Sequence, residues 1–336
     1  VSGDRAGEAG DEARNEARLR AEQYLAPETI GQLGSFELRA RMIAEGVTSG
    51  MHRSPYQGPA VEFAEHRAYV PGDDLRHLDW KVFGRTDKLH LKRFQQETTL
   101  DVLVMVDASG SMGYGTLEVK SGWGGTSASG RRRMWTKFDH AVATAAAVAY
   151  LSLQQRDRVG LATYSDGAKS SLRRSAGRDQ WRSIVQVLSG ASVGGVADLP
   201  RSLEQALAQS PGRLLVVLVS DLLGPIEPLR QALAICRHRR LDVVLLEVLD
   251  RAELRFPLRE EAPFEGLEGE PTIEADPRAV RQEYLEALRA HLDAVHRTAR
   301  SFGFDHLVMD SHDSVGPALA LLLARRQAML RTGRAG

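Results

Sequence analysis

Two uninterrupted apolar runs, Val102–Val106 and Leu214–Val219, each lead to an aspartate, and nothing else in the chain constrains the fold as much. A strand without polar alternation is buried on both faces, as happens in a parallel sheet covered by helices on both sides. The first run enters Asp107-Ala-Ser-Gly-Ser111, and the second enters Ser220-Asp221. Open α/β sheets place their ligands in the loops that leave the carboxyl ends of their strands. If the two strands run parallel, Asp107 and Asp221 share one rim. Their like charges then repel, and a divalent cation is the simplest compensation. Carboxylates and the hydroxyls of Ser109 and Ser111 are hard oxygen ligands, suited to Mg²⁺, Mn²⁺ or Ca²⁺. A bare Asp-x-Ser-x-Ser is otherwise a helix-capping turn. The second strand-end aspartate tips the reading toward an ion site.

From Thr99 onward the pattern alternates. Strands are expected at 101–106, 158–164, 213–219, 241–249 and 305–309, and helices at 137–155, 180–188, 200–208, 228–239, 277–302 and 315–330. Such alternation means an α/β fold built on a doubly wound, mostly parallel sheet. The chain divides into an extension over 1–33 with a helix near 12–25, a small N-terminal β-rich module over 34–98, the α/β domain over 99–330 and a tail over 331–336. The module alternates apolar and polar residues around the turn Pro71-Gly-Asp-Asp74, as half-exposed antiparallel strands do, and is expected to lie against the sheet.

The pair of strand-end motifs resembles the metal-ion-dependent adhesion site of von Willebrand factor A domains. The resemblance implies a von Willebrand A-like fold and an ion, Mg²⁺ or Mn²⁺, held by three loops. Asp107, Ser109 and Ser111 match the first loop and Asp221 the third. The second should bring a threonine, but Ala197 stands there in Gly194-Gly-Val-Ala-Asp-Leu199, with Asp198 or Ser192 as substitutes. Upstream, Gly58 to Trp80 contains Glu62, Phe63, Arg67, Tyr69, Pro71, Gly72, Asp73, Asp74, Arg76, Asp79 and Trp80. This pattern resembles the signature of the domain of unknown function 58 family, and the similarity runs from about Gly34 to Leu322. It implies an adaptor in protein maturation that works with a MoxR-type AAA+ ATPase and its client, with no enzymatic activity of its own.

Composition excludes several classes. The 44 basic and 44 acidic residues balance, so no global attraction to nucleic acid or anionic membrane is expected. The lone Cys236 rules out an internal disulfide. No apolar stretch reaches the ~20 residues of a membrane span, and Val1–Glu8 has no apolar signal core. A cytoplasmic protein is expected. No Gly-x-x-x-x-Gly-Lys-Ser/Thr occurs, so ATP dependence has to come from a partner. Ser311-His312-Asp313 are consecutive and cannot converge as a hydrolytic triad.

Two interruptions stand out. Six glycines and three serines between Gly113 and Gly130 precede Arg131-Arg132-Arg133. Such a segment is a flexible linker or a basic flap over the rim. With Asp73, Asp74 and Arg76, the three arginines are the candidate partner contacts. Phe256 to Asp276 carries seven carboxylates and reads as a surface hairpin. Three readings follow: an adaptor whose metal rim captures a partner carboxylate, a structural protein with a vestigial site, and a metal-dependent hydrolase.

Overall fold

The computed structural model describes residues 66–68, 83–85, 90–92, 99–118, 134–260 and 262–332. The chain divides into two compact units, Met51–Thr98 and the remainder. In the smaller unit, β1 (His66–Ala68) and β2 (His90–Lys92) pair antiparallel. Asp73, Asp74 and Arg76, the arginines 131–133 and the helix expected near 12–25 lie outside the described residues.

In the larger unit, both apolar runs become the buried strands their composition requires. β3 (Asp101–Asp107) is buried from its second residue to its last, and β8 (Leu215–Ser220) throughout. Short antiparallel strands β4 (Leu117–Glu118) and β5 (Met134–Trp135) lead into helix α1 (Lys137–Gln154). Next come β6 (Arg158–Tyr164), β7 (Ala168–Ser175), α2 (Arg178–Gly190) and α3 (Leu199–Ala208). After β8 follow α4 (Ile226–His238), β9 (Asp242–Leu249) and the single-turn α5 (Arg251–Arg255). The hairpin β10 (Ala262–Phe264) and β11 (Ile273–Ala275), α6 (Pro277–Ser301), β12 (Asp305–Asp310) and α7 (Gly316–Thr332) complete the unit.

The central sheet has the order β12-β9-β8-β3-β6-β7. All pairings are parallel except β6 with β7. The chain leaves β3 toward β6 and β7, then returns to β3's other side at β8. That reversal is a topological switch point, where such sheets open a crevice at their carboxyl ends. The register pairs Val106 with Val219, so Asp107 and Asp221 end neighbouring strands on one rim.

One face of the sheet carries α1, α2 and α7, and the other α3, α4 and α6. The core of the second face joins Leu203 and Leu207 of α3 and Leu229 and Leu233 of α4 to Met105, Leu218 and Leu245 of the strands. Helix α1 is buried from Lys137 to Ala149. A helix enclosed on all sides needs small side chains where neighbours approach closely, and Ala141, Ala143, Ala145, Ala146, Ala147 and Ala149 supply them.

Sequence and structure part at β7. Its side chains are mostly exposed and polar, with Leu172 its one large aliphatic residue. An edge strand gives no apolar run to read, and its charge protects it from pairing with another chain. The close fit of α1 has a measurable consequence. Ala145 is wholly buried, so Ala145→Leu is expected to destabilise the fold by about 1–3 kcal/mol through overpacking. A lowered chemical-denaturation midpoint checks this, and an unchanged one contradicts the description of α1.

Candidate functional site

Four neighbouring parallel strands reach the crevice rim with an aspartate at or just past their ends: Asp107, Asp221, Asp250 and Asp310. Their surroundings divide them into two kinds. Asp250 accepts from the Thr116 backbone and hydroxyl, from the Ala252 backbone and from the Ser311 hydroxyl, at 2.6–3.0 Å. His312 Nε2 lies 3.2 Å from its Oδ2. Burial works to raise the Asp250 pKa, but these donors and the His312 charge outweigh it and hold the carboxyl below its ordinary 3.8. Asp310 receives the Arg251 guanidinium at 2.8 Å and the His312 backbone N–H at 2.9 Å. These two carboxylates tie the rim together. Ser311 and His312 both serve Asp250, which accounts for the Ser-His-Asp run without any triad.

Asp107 is held differently. It is wholly buried and accepts from the Ser109 backbone N–H at 2.8 Å and the Ser220 hydroxyl at 2.6 Å, with the Ser109 side chain also bonding toward it. Burial, then the Asp221 charge, raise its pKa from 3.8 to about 6, so the bonds it receives compensate too little of its charge. Asp221 accepts the Lys137 ammonium at 2.8 Å, and the same Nζ donates to Glu253 at 2.7 Å. Burial works to lower the Lys137 pKa, but the two carboxylates more than reverse it, so the ammonium stays charged inside the protein. Lys137 opens α1, whose Thr136–Asp139 capping box fixes the helix start. A cation in a helix's first turn opposes the macrodipole, so its position is set by the carboxylates.

The other predicted ligands are partly gathered. The Ser109 and Ser111 hydroxyls lie 3.2 Å apart. An octahedral ion with bonds of roughly 2.1 Å has edges of about 3 Å, so two hydroxyls so spaced fit adjacent positions around Mg²⁺ or Mn²⁺. The second loop comes in through its backbone. Gly194 N–H donates to the Ala108 carbonyl at 2.9 Å, and Gly110 N–H to the Gly195 carbonyl at 2.8 Å. Lys169 Nζ gathers the Ala108 and Gly194 carbonyls at 3.2 and 2.7 Å. The Asp198 carboxylate, expected as a substitute ligand, instead caps α3 by accepting from the Arg201 backbone at 3.2 Å. Its side chain satisfies an otherwise unpaired helix amide. Among the described residues no three His, Cys, Asp or Glu side chains gather to hold a metal. An ion at this rim would rest on two carboxylates and two hydroxyls, a set whose chemistry and charge suit a hard divalent cation.

Residues 65–294 match the family model described as Protein of unknown function DUF58, well over half of the 336 residues. The chain belongs to this family. It is 28% identical over 311 residues to the uncharacterized protein Rv1480 of Mycobacterium tuberculosis, covering 90% of this chain and 92% of that protein. The uncharacterized protein Mb1516 of Mycobacterium bovis matches to the same extent. Among solved structures, the conserved hypothetical protein BatB of Bacteroides thetaiotaomicron aligns with a TM-score of 0.41 at 13% identity, over 67% of this chain and 98% of that one. The VWA domain of SpRpn10 aligns with a TM-score of 0.37 at 12% identity, over 66% and 94%.

In this DUF58 protein the sequence reading passed over Lys137, Ser220 and Glu253. A lysine opening an otherwise Ala- and Val-rich helix, at the end where its charge is least welcome, was the available signal.

A pH experiment separates Asp107 from the structural carboxylates. Between pH 6 and 4 the folded Asp107 takes up a proton while the unfolded one stays charged, which stabilises the fold as pH falls, by about 3 kcal/mol at most. His140, wholly buried, has the opposite sign. Burial lowers its pKa from 6.5 to about 4, so its contribution is lost as pH falls through that window, by about 3 kcal/mol. In metal-free buffer the two contributions nearly cancel. Asp107→Asn still accepts from the Ser109 backbone and turns the second bond round, its amide donating to the Ser220 oxygen, and is expected to be no less stable at pH 7 but steeply less stable below pH 6. His140→Leu is expected to gain stability over the same range. Parallel pH profiles for wild type and both variants would contradict these assignments.

Proposed function

We propose that this DUF58 protein is a von Willebrand A-like adaptor that captures a carboxylate of a partner protein at the rim formed by Asp107, Ser109, Ser111 and Asp221. The observation that carries this reading is the contrast along one rim. Asp250 and Asp310 are saturated with donors, whereas Asp107 is buried and undercompensated beside the Ser109 and Ser111 hydroxyls, which bond to each other. Mg²⁺ or Mn²⁺ supplies the missing positive charge when bound and leaves coordination positions for an outside oxygen. Asp107 and Asp221 provide the negative field, and Ser109 and Ser111 the neutral oxygens. Ser220 and Lys137 hold the two carboxylates in place.

Exposed Val196 and Leu223, on the second and third loops, give a partner apolar contact beside the polar centre. The arginines 131–133 and the Asp73, Asp74 and Arg76 turn remain candidate secondary contacts. The family resemblance implies that the partner is an ATPase of the MoxR type with its client, and the chain carries no phosphate-binding Gly-Lys-Ser/Thr loop of its own. A binding role rather than catalysis is favoured because, among the described residues, the buried Lys137 stays a charged ammonium committed to two carboxylates and is no general base for water beside Asp107. A cytoplasmic setting is part of the proposal. Burial pushes the lone Cys236 thiol up to about 12, a poor disulfide former. Among the described residues no helix is long and apolar enough to cross a membrane.

Affinity capture of a MoxR-type ATPase by the full chain tests the proposal. Retention is expected in Mg²⁺, with loss of at least about tenfold in EDTA and in Asp107→Ala. Equal retention in all three conditions would remove the rim from the mechanism.

A further inference from the structure

The hairpin expected merely as an acidic surface loop lies across the candidate rim. Its tip approaches the Asp-x-Ser-x-Ser loop so closely that a Cβ added at Gly110 would collide with the Leu267 carbonyl. One residue on, Glu268 Oε1 accepts the Ser111 backbone N–H at 3.1 Å. That amide belongs to the residue whose hydroxyl bonds that of Ser109 at the rim.

The geometry points to the hairpin as a built-in occupant of the rim, with Glu268 in the place of a partner's carboxylate and release of the strap required before an acidic segment of a partner binds. The inference rests on the reading of the rim as a carboxylate receptor.

Two observations separate this from ordinary loop packing. The hairpin does not need the Glu268 carboxylate for its own turn, because Glu270 closes that turn by accepting the Glu268 backbone N–H at 3.0 Å. The tip also has no apolar anchor. Leu267 is 52% exposed and Ile273 60%. The firm contacts are at the base, where Phe264 stacks on Phe256 with ring centres 6.2 Å apart and Phe256 meets Tyr284 at 4.6 Å. An element fixed at its base and held at its tip by polar contacts opens locally at low cost. Glycines 266 and 269, the latter at φ +98°, give the tip its tight turn. The ligand class follows from the strap itself: an extended acidic peptide presenting a glutamate followed by a glycine, as Glu265-Gly-Leu-Glu-Gly-Glu270 does.

The test uses the full chain and a labelled synthetic peptide of residues 262–275. Hydrogen exchange is expected to show the Ser111 amide protected in wild type and exposed in Glu268→Ala, with Glu268→Gln intermediate, since its amide oxygen still accepts, while the Ser109 and Gly110 amides keep their own acceptors and serve as the internal control. Gly110→Ala is expected to expose the Ser111 amide with Glu268 retained, by pushing the Leu267 carbonyl away. The peptide is expected to bind Glu268→Ala roughly tenfold or more tightly than wild type, the effect of one charge-assisted hydrogen bond withdrawn from competition. A peptide carrying the Glu268→Ala change should bind neither chain. Equal exchange and equal peptide affinity in wild type and Glu268→Ala would overturn the strap while leaving the rim reading to its own capture experiment. An exposed Ser111 amide in Glu268→Ala without peptide binding would overturn both.

Discussion

One buried ammonium makes the rest of the rim possible. Lys137 is wholly enclosed and bridges Asp221 and Glu253 with two short ion pairs. Removing a partner from a buried pair leaves an uncompensated charge and costs several kcal/mol. Such a bridge therefore fixes the start of α1, the end of β8 and the turn of α5 relative to one another. It leaves Asp107 outside the bridge, because Lys137 pairs with Asp221 and Glu253. Burial, and then the Asp221 charge, raise the pKa of Asp107, and burial raises that of Glu253 in spite of Lys137. The proposed binding centre lies where the fold buries negative charge without fully neutralising it.

The neighbouring aspartates show that this is a local choice rather than a general property of the sheet. Asp250 and Asp310 leave strands of the same sheet at the same rim, yet each meets several donors, among them Thr116, Ser311 and Arg251. The fold saturates the rim at β9 and β12 and leaves it unsaturated at the switch point between β3 and β8. The strap lies over the loop that leaves β3, setting one more carboxylate against a backbone amide that would otherwise face solvent or a partner. An unsaturated site covered by a loosely anchored segment of the same chain is a site that discriminates among partners by the cost of opening.

Much of this was legible in the residues. Short apolar runs rich in Val and Leu and bounded by turn residues specify buried parallel strands, whereas the longer Ala-rich run of α1 specifies a buried helix, and the expected ends of β3, β6, β9 and β12 fall within a residue of the observed ones. The pairing of Asp107 with Asp221 followed from the same runs. What escaped reading depends on contacts distant in sequence. Glu268 meets Ser111 across 157 positions and Thr116 meets Asp250 across 134, and no local pattern announces either. β7 lacked an apolar run because it is an edge. The carboxylate of Asp198 looked like a ligand by residue type but serves as a helix cap, a role that Asp fills at least as readily.

The most direct measurement of the central claim is a Mn²⁺ titration of the full chain, followed by the paramagnetic resonance of the free ion and by the thermal unfolding midpoint, for wild type and Asp107→Asn. One bound ion per chain and a midpoint that rises with Mn²⁺ are expected in wild type, with both lost in Asp107→Asn. An equal free-ion signal and an unmoved midpoint in the two proteins would mean that Lys137 already completes the charge of the rim, and would contradict the account.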